Sequence, residues 1–272
     1  MKTYKDYMLF NKLPHTWCAG CSDGIVLQAI PDVFAELGWD KHTIALVSGI
    51  GCFGRVDDFL DINCMHVTHG RAIPTATGIA LANPDLHVVV TMGDGDGTTI
   101  GGNHLIHAAR RNINLTAIIA NNYIYGQTGG QYSGTTPLGS ITATSPYGHV
   151  EPGFDICGLA AAAGASYVAR AVPGNPRQLR KLIKEGFLTK GFALIEVMVD
   201  CPIQYGRMNK QGDAYAMLKH KLDVSVPVEK AKLMTEEELE GMIITGCFVN
   251  KPRTDYYTEY KKIIDKLSLG GA

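Results

Sequence analysis

The chain has 272 residues, of which 46% are hydrophobic and 19% are charged, a composition typical of a compact globular protein. Its 25 basic and 26 acidic residues leave a net charge of −1, so no basic excess indicates nucleic-acid binding. No long apolar run predicts a transmembrane helix, and the opening residues do not resemble a secretory signal. The expected location is therefore the cytoplasm, where the seven cysteines are more often thiols or metal ligands than disulfides.

Apolar residues follow helical spacing in some segments and form short continuous runs in others. Residues 1–17 are expected to be irregular. The spacing over Ile25–Leu37 predicts a helix, with Ser22 or Asp23 as its N-cap, Gly38 at its end and Pro31 as an internal flaw. The other predicted elements, in chain order, are strand Thr43–Ser48, strand Met65–Thr68, helix Arg71–Leu81, strand Leu86–Met92, helix Asn103–Arg111, strand Leu115–Asn121, helix Phe154–Gly164, strand Tyr167–Ala171, helix Pro176–Thr189 and strand Ala193–Val199.

Strands that alternate with helices predict an α/β fold, a mostly parallel sheet with helices on both faces. We expect residues 1–210 to form this domain. Beyond it the chain is more charged, and helices are predicted near Thr235–Ile244 and Thr254–Leu267. A capping-box pattern, Thr235 followed by Glu238, supports the first of these helices. Residues 211–272 are therefore expected to be a helical extension that contacts another subunit.

A glycine-rich acidic turn, residues 93–97, lies between a predicted strand and a predicted helix. Glycines let backbone amides approach phosphate oxygens, and the N-terminus of a helix favours an anion. Because carboxylates repel a bare phosphate, Asp94 is expected to bind Mg2+ that bridges to a diphosphate. Asn122 ends the next strand and can be a second ligand, and the backbone carbonyl of Ile124 a third. An ordinary turn with solvated aspartates is the alternative for this motif alone.

Two cysteines, Cys18 and Cys21, form a C-x-x-C pair that can bind iron or zinc. Trp17 is also typical of a thioredoxin-type redox site, although the residues before it are poor strand formers. A structural zinc site is expected to have a second closely spaced pair of ligands, which the sequence lacks. Further ligands would have to come from distant loops, and Cys52 and Cys201 each follow a predicted strand.

The other three cysteines have simpler interpretations. Cys64 is the strongest alternative ligand because it lies close to Cys52 in the sequence. Cys157 lies among alanines and is expected in the core, and Cys247 is expected to be structural. His104 and His107, one helical turn apart, are expected to serve packing or solvation because no third ligand is evident.

The turn 93–96, the downstream Asn121-Asn122 pair and the aromatic turn after it resemble the thiamine diphosphate motif. More narrowly, the chain resembles the beta subunit of 2-oxoacid:ferredoxin oxidoreductases over roughly residues 13–210. The supporting segments, in family order, are WCAGC at 17–21, SGIGCFGR at 48–55, THGRA at 68–72, TMGDGD at 91–96, GGNHLIHAARRN at 101–112, NNYIYGQTGGQ at 121–131 and DCP at 200–202.

The resemblance implies three cofactors: thiamine diphosphate, Mg2+ and one [4Fe–4S] cluster. It implies that Cys18, Cys21, Cys52 and Cys201 bind the cluster and that Asp94, Asn122 and Ile124 bind Mg2+. Arg55 is expected to approach the substrate carboxylate, with an ion pair to Asp57 or Asp58 as the alternative, and His69 to lie near the cofactor. The residues expected to bind thiamine diphosphate are Gly51, Cys52, His69, Gly93, Asp94, Gly95, Asp96, Asn122, Tyr125, Gly126 and Thr128.

The implied activity is CoA-dependent oxidative decarboxylation of a 2-oxoacid, or the reverse carboxylation, with ferredoxin as the electron carrier. Residues 127–131 are expected to line the substrate pocket. Some family members have lysine at the position of Gly129, and the space that glycine leaves favours 2-oxoglutarate over pyruvate. A beta subunit specific for pyruvate or for a branched-chain 2-oxoacid is the alternative. No segment suits the pyrimidine ring, so a separate alpha subunit is expected to supply that domain and the activating glutamate. The complex can also contain further small subunits.

Two alternatives belong to other classes of protein. One is a cluster-free thiamine diphosphate decarboxylase component, which would contain no iron. The other is a zinc-binding scaffold module, which would bind zinc and no thiamine diphosphate.

Overall fold

An eight-stranded, mostly parallel sheet organises the chain in the computed structural model, which describes residues 2–269. The strands are β1 (Ile44–Ser48), β2 (Asn63–His66), β3 (His87–Gly93), β4 (Leu115–Ala120), β5 (Ile124–Tyr125), β6 (Gln131–Tyr132), β7 (Tyr167–Ala171), β8 (Phe192–Val197), β9 (Ser225–Pro227) and β10 (Ile243–Asn250). The α-helices are α1 (Asp23–Leu37), α2 (Ala72–Ala82), α3 (Gly102–Arg111), α4 (Ile156–Ala162), α5 (Pro176–Leu188), α6 (Ala214–Asp223), α7 (Val228–Ala231), α8 (Glu236–Leu239) and α9 (Tyr256–Leu269).

The strand order is β2-β1-β3-β4-β8-β7-β10-β9, with β5 and β6 in a separate antiparallel pair. Neighbouring strands run parallel except for β7 and β10. After β1 the chain continues toward one edge of the sheet, where β2 lies. After β3 it continues toward the opposite edge, where β4 follows. A sheet with this switch in direction opens a crevice between the loops after the two strands, at their carboxyl ends.

Both faces of the sheet are covered, as the sequence predicts. One apolar cluster joins the sheet to α1 and α5 and includes Val26, Phe34 and Ile183. The other joins it to α2, α3 and α4 and includes Ile73 and Leu105. Every residue of β1, β4 and β8 is buried, and each large apolar side chain taken out of water contributes about 1.5–3 kcal/mol.

The predicted helices and strands of the parallel sheet are present, with shifted ends. Helix α1 contains Pro31 and ends at Gly38, whose φ of 67° is the left-handed conformation typical of a C-terminal glycine. Ser22 occupies the predicted N-cap position but makes no capping hydrogen bond with its side chain; its hydroxyl instead accepts from the Asp200 backbone amide at 2.6 Å. Strand β2 begins two residues before the predicted strand, and its residues are exposed at the edge of the sheet. The irregular start contains two short 3-10 turns, Tyr4–Tyr7 and Phe10–Lys12.

The prediction of helix 235–244 is wrong for most of its length. The capping box at Thr235 and Glu238 forms, but α8 ends at Leu239. Gly241, at a φ of 74°, turns the chain, and β10 then pairs with β7 in the main sheet. The prediction of a purely helical extension is therefore also wrong. Residues 211–269 contribute two strands to the sheet in addition to the helices α6, α7, α8 and α9. No helix within residues 2–269 is long and apolar enough to cross a membrane.

Candidate active site

A crevice lies at the carboxyl edge of the sheet, between the loops that follow β1 and β3. Segments 50–53, 93–96 and 124–128 line it together with His69, Ala120 and Asn122. The structure thus brings together every residue predicted to bind the diphosphate or its metal ion: Gly51, Cys52, His69, Gly93, Asp94, Gly95, Asp96, Asn122, Ile124, Tyr125, Gly126 and Thr128.

Asp94 follows β3 and is 1% exposed. One of its carboxylate oxygens, Oδ2, accepts hydrogen bonds from the hydroxyls of Ser133, at 2.5 Å, and Thr135. Burial raises the pKa of Asp94, and the two hydroxyls oppose that shift only in part. A buried carboxylate in this state fits a divalent cation, because the cation restores the interactions that the charged form loses on burial.

The turn after β4, residues 121–124, contributes Asn122 and Ile124 to the crevice that Asp94 also lines; we call it the metal turn after its predicted role. The side-chain oxygens of Asn121 and Asn122 accept hydrogen bonds from the backbone amides of Tyr123 and Ile124, both at 3.1 Å. These bonds support an unusual backbone, since Tyr123 has a φ of 66°. Asn122 and the Ile124 backbone therefore form a compact loop with oxygen donors suited to Mg2+.

Asp96 is buried and braces the crevice. Its carboxylate accepts hydrogen bonds from the Gly70 amide at 2.6 Å, from His69 Nδ1 and from the Ile50 amide at 3.2 Å. It thereby joins the loop after β1 to the loop after β2. The close approach of Asp96 to the loop after β1 requires glycine at position 49, because a Cβ there would lie 1.7 Å from Asp96 Oδ2.

Tyr125 closes one side of the crevice against Gly95. Its hydroxyl donates to the Gly95 carbonyl at 3.1 Å, and a Cβ at Gly95 would lie 2.3 Å from Tyr125 Cε1. The His69 ring stands edge-on to Tyr125, with ring centroids 5.8 Å apart. Because its Nδ1 is bound to Asp96, the Nε2 atom of His69 remains available to a ligand.

Four of the seven cysteines line a second cavity of about 420 Å³: Cys18, Cys21, Cys52 and Cys201. This cavity shares four lining residues with the crevice, so the two are adjacent: Cys52, Asn122, Gly126 and Gln127. Cys64 is exposed on β2 and does not line this cavity, Cys157 is buried in α4, and Cys247 is half-buried in β10.

The cysteine cavity has the donors that an iron–sulfur cluster requires, because four thiols line one open space. A Cβ at Gly126 would lie 3.4 Å from Cys201 Sγ and 3.6 Å from Cys52 Sγ, so the glycine keeps this space open.

Burial disfavours the thiolate form of Cys21, Cys52 and Cys201 in the absence of a metal. It raises the pKa of Cys52 to about 12, and it also raises the pKa of Cys21 and Cys201. Iron would therefore have to displace protons when it binds, because only the thiolate is a good ligand.

Trp17 and Arg55 also line the cysteine cavity. The Trp17 indole donates to the Cys52 carbonyl at 2.6 Å and so fixes the loop after β1. Arg55 forms an ion pair with Asp58 at 2.6 Å, the alternative to substrate binding that the sequence offered for this residue. Both side chains are more than one-third exposed. Exposed pairs contribute little, so the guanidinium can exchange Asp58 for another carboxylate at small cost.

Several residues around the site were not predicted from the sequence. Ser133 and Thr135, which hold Asp94, lie in a segment rich in serine and threonine, and this composition was the only local signal. Lys221, on α6, is 7% exposed; its Nζ lies 3.2 Å from Asp200 Oδ1 and 5.0 Å from the centre of the Tyr123 ring. It also donates to the Val199 carbonyl, so the 211–269 segment supports both the metal turn and the loop that carries Cys201. His104 contacts Arg71 at 3.0 Å and His107 accepts from Arg110 at 3.4 Å, as expected for packing or solvated histidines.

Comparison with known proteins gives relatives that cover most of the chain. The 2-oxoglutarate synthase subunit KorB of Methanocaldococcus jannaschii is 48% identical over 96% of this chain and 97% of its own length. The 2-oxoglutarate oxidoreductase subunit KorB of Mycobacterium tuberculosis is 42% identical over 75% of this chain and 56% of its own length. The solved 2-oxoglutarate:ferredoxin oxidoreductase of Magnetococcus marinus, with 2-oxoglutarate, coenzyme A and succinyl-CoA bound, superposes with a TM-score of 0.88 at 34% identity, covering 98% of this chain and 91% of that one.

Residues 49–197 match the model of the C-terminal TPP-binding domain of thiamine pyrophosphate enzymes. The fold, the crevice and this match together define the class of the protein, which is a component of a thiamine diphosphate-dependent enzyme. Within that class, the chain belongs to the beta subunits of the 2-oxoacid:ferredoxin oxidoreductases, which confirms the resemblance seen in its motifs.

Proposed function

We propose that this chain is the beta subunit of a CoA-dependent oxidoreductase that converts 2-oxoglutarate to succinyl-CoA, or runs the reverse carboxylation. The observation that carries the proposal is the junction at Cys52, Asn122 and Gly126 between the cofactor crevice and the cavity lined by four cysteines. The names of its relatives and the ligands bound in the solved Magnetococcus marinus enzyme support the same substrate.

In the crevice, Asp94, Asn122 and the Ile124 carbonyl would hold Mg2+ against the diphosphate. When bound, thiamine diphosphate supplies the nucleophilic carbon and the electron sink for decarboxylation. Ser133 and Thr135 orient Asp94 toward this task, and Tyr125 and His69 limit the width of the crevice.

In the adjacent cavity, Cys18, Cys21, Cys52 and Cys201 would hold one [4Fe–4S] cluster. When bound, the cluster accepts electrons singly and passes them to ferredoxin. The shared lining residues would bring the two cofactors close together, as electron transfer between them requires.

The substrate carboxylate would bind to Arg55, which lines the cysteine cavity and is held only by its exposed pair with Asp58. A guanidinium binds a carboxylate through two parallel hydrogen bonds. Gly129 has a φ of 119°, a conformation that side chains rarely adopt, and a glycine there would leave more room for a longer 2-oxoacid than a larger residue does.

The matched family model is one domain of thiamine enzymes, the C-terminal one. We infer that an alpha subunit supplies the pyrimidine-binding domain, and that the complex works with ferredoxin, CoA and a 2-oxoacid in the cytoplasm. Residues 1–210 would carry the cofactor-binding residues of this subunit, and the segment after residue 210, which completes the sheet, would also help to contact its neighbours.

The decisive experiment compares the chain alone with the chain co-expressed with its alpha subunit, both purified anaerobically. We expect only the complex to reduce ferredoxin with 2-oxoglutarate and CoA, and pyruvate to be a poor substrate. Full activity of the chain alone would contradict the need for a partner, and a preference for pyruvate would contradict the assigned substrate.

Iron and sulfide analysis of cysteine variants tests the cluster separately. Serine at Cys18, Cys21, Cys52 or Cys201 should lower bound iron, whereas Cys64→Ser should retain about four irons per chain. An iron-free wild-type complex would favour a decarboxylase component, and bound zinc without thiamine diphosphate would favour a scaffold protein.

A further inference from the structure

Two charged residues lie in strands that are otherwise uncharged. Glu196 is the one charged residue of β8 and Arg170 the one charged residue of β7. Glu196 is 1% exposed, and its Oε2 lies 2.6 Å from Arg170 Nε. A buried ion pair is often no more stabilising than apolar side chains of the same size, so its presence in the sheet asks for another reason.

Both oxygens of Glu196 are engaged. Oε2 accepts from Arg170 and also from Cys157 Sγ at 3.3 Å, while Oε1 accepts from Asn121 Nδ2 at 2.8 Å. Arg170 is itself anchored by Asp155, at 2.6 Å. The carboxylate is therefore held in one orientation, with one oxygen aimed at the first residue of the metal turn.

A carboxylate can only accept hydrogen bonds, so it determines how the Asn121 amide is oriented. The amide nitrogen of Asn121 faces Glu196, which leaves its oxygen to accept from the Tyr123 backbone amide at 3.1 Å. This second bond supports Tyr123 in its left-handed conformation, with a φ of 66°. The reverse orientation of the Asn121 amide would remove both bonds.

We propose that Glu196 is a positioning residue for the metal site, acting through Asn121 to hold the metal turn in a shape that binds Mg2+. The inference rests on the proposed function, in which Asn122 and Ile124 bind the ion together with Asp94. Residues that hydrogen-bond to a metal ligand or hold it in place commonly set the affinity of the site for the metal ion. Their loss weakens metal binding about 10–100-fold.

The test measures how thiamine diphosphate binding depends on Mg2+ concentration, by calorimetry without substrate, in the complete complex. Glu196→Gln and Asn121→Ala should each weaken the apparent Mg2+ affinity at least about tenfold. The double variant should be no weaker than the stronger single variant, because both changes break one chain of contacts. The Tyr123 amide should exchange its hydrogen faster in each variant.

Glu185→Gln is the matched control, because Glu185 lies on α5 rather than in the sheet and the change weakens its hydrogen bond from Tyr167, at 2.9 Å. It should leave the Mg2+ dependence unchanged. Glu196→Asp, which keeps the charge but shortens its reach, is the second variant if Glu196→Gln folds poorly.

Two results would overturn the positioning role of Glu196 and leave the proposed metal site standing. One is an apparent Mg2+ affinity of the Glu196 variants within twofold of the wild type, and the other is a loss of affinity in the double variant that equals the sum of the two single losses in free energy. Wild-type binding of thiamine diphosphate without any divalent cation would instead overturn the proposed metal site, and this role with it.

Discussion

At the scale of single residues, the crevice depends on glycines as much as on its acids. Gly95 lets the Tyr125 ring lie directly against the backbone, and Gly126 leaves open the space between two cysteine sulfurs. In both positions the missing side chain makes room that the proposed cofactors need, so a motif rich in glycine and aspartate describes the shape of the site as well as its charge.

Gly95→Ala should abolish thiamine diphosphate binding while the protein remains folded. The added Cβ would lie 2.3 Å from the Tyr125 ring and push it into the crevice. Gly78→Ala is the control, because Gly78 lies within α2 and a Cβ there meets nothing within 4 Å. That change should raise the free energy of unfolding by about 0.4–1 kcal/mol and leave binding intact. Binding titrations with thermal unfolding measure both effects, and normal binding by Gly95→Ala would contradict the role given to Tyr125.

The residues that could be predicted from the sequence lie in short, continuous motifs. Asp94, Asn122, Cys52 and Cys201 follow strands closely, and a parallel sheet gathers strand ends at one edge. Glu196 and Lys221 could not be predicted, because their partners are distant in the chain: Asn121 is 75 residues from Glu196, and Val199 is 22 residues from Lys221.

At the scale of elements, local signals predicted helices well until a distant strand competed for the same residues. The apolar spacing of α1 was sufficient because that helix packs with its apolar face on the sheet. The capping box at Thr235 was also predicted correctly, yet the segment after it became β10, because β7 offers a strand edge with which β10 can pair. A helix signal of one turn cannot reveal an unpaired strand edge some 70 residues earlier.

Helix α9 should depend on Asp255 at its start. Asp255 accepts from the Thr258 amide at 3.1 Å and from its hydroxyl at 2.6 Å, and Lys190 lies 3.4 Å away. Burial alone would raise the pKa of Asp255, but these contacts outweigh it, and the net shift is below the ordinary value of 3.8. A lowered pKa means that the stabilisation is present above that value and is lost as the pH falls through the lower pKa of the folded protein.

Asp255→Ala should therefore cost about 0.5–2 kcal/mol at neutral pH, as for other N-cap residues. Denaturant unfolding at a series of pH values checks this, and the difference from wild type should shrink as the pH falls below about 4. Asp265→Ala, on the exposed surface of the same helix, should have little effect at any pH. A penalty for Asp255→Ala that persists unchanged in acid would contradict the ionic part of the explanation.

At the scale of the whole molecule, the segment after residue 210 is part of the sheet and of the site's support. Strand β10 covers the edge of β7, and Lys221 holds the loop that carries Cys201. The segment therefore does more than contact other subunits, although its contact role remains a prediction.

Two truncations separate these roles. A chain that ends at Asp223 loses β9 and β10 and exposes the buried strand β7 as a sheet edge, so it should aggregate or lose cooperative unfolding. A chain that ends at Asn250 keeps the complete sheet and loses α9, so it should remain folded. Solubility and denaturant unfolding of both chains provide the measurement, and a stable, cooperative 1–223 chain would contradict the structural role of β10.

The order in which the cysteines leave the ribosome gives their spacing a further consequence. Cys201 is made 149 residues after Cys52 (201 − 52), which takes about 7–30 s at 5–20 residues per second. During that time Cys18, Cys21 and Cys52 have been made but Cys201 has not. The cavity cannot form, because β8, the strand that leads to Cys201, has to pair between β4 and β7 first. Three thiols are thus exposed to oxidants and adventitious metal ions for more than half of synthesis, so loading of the proposed cluster would have to wait until Cys201 has been made.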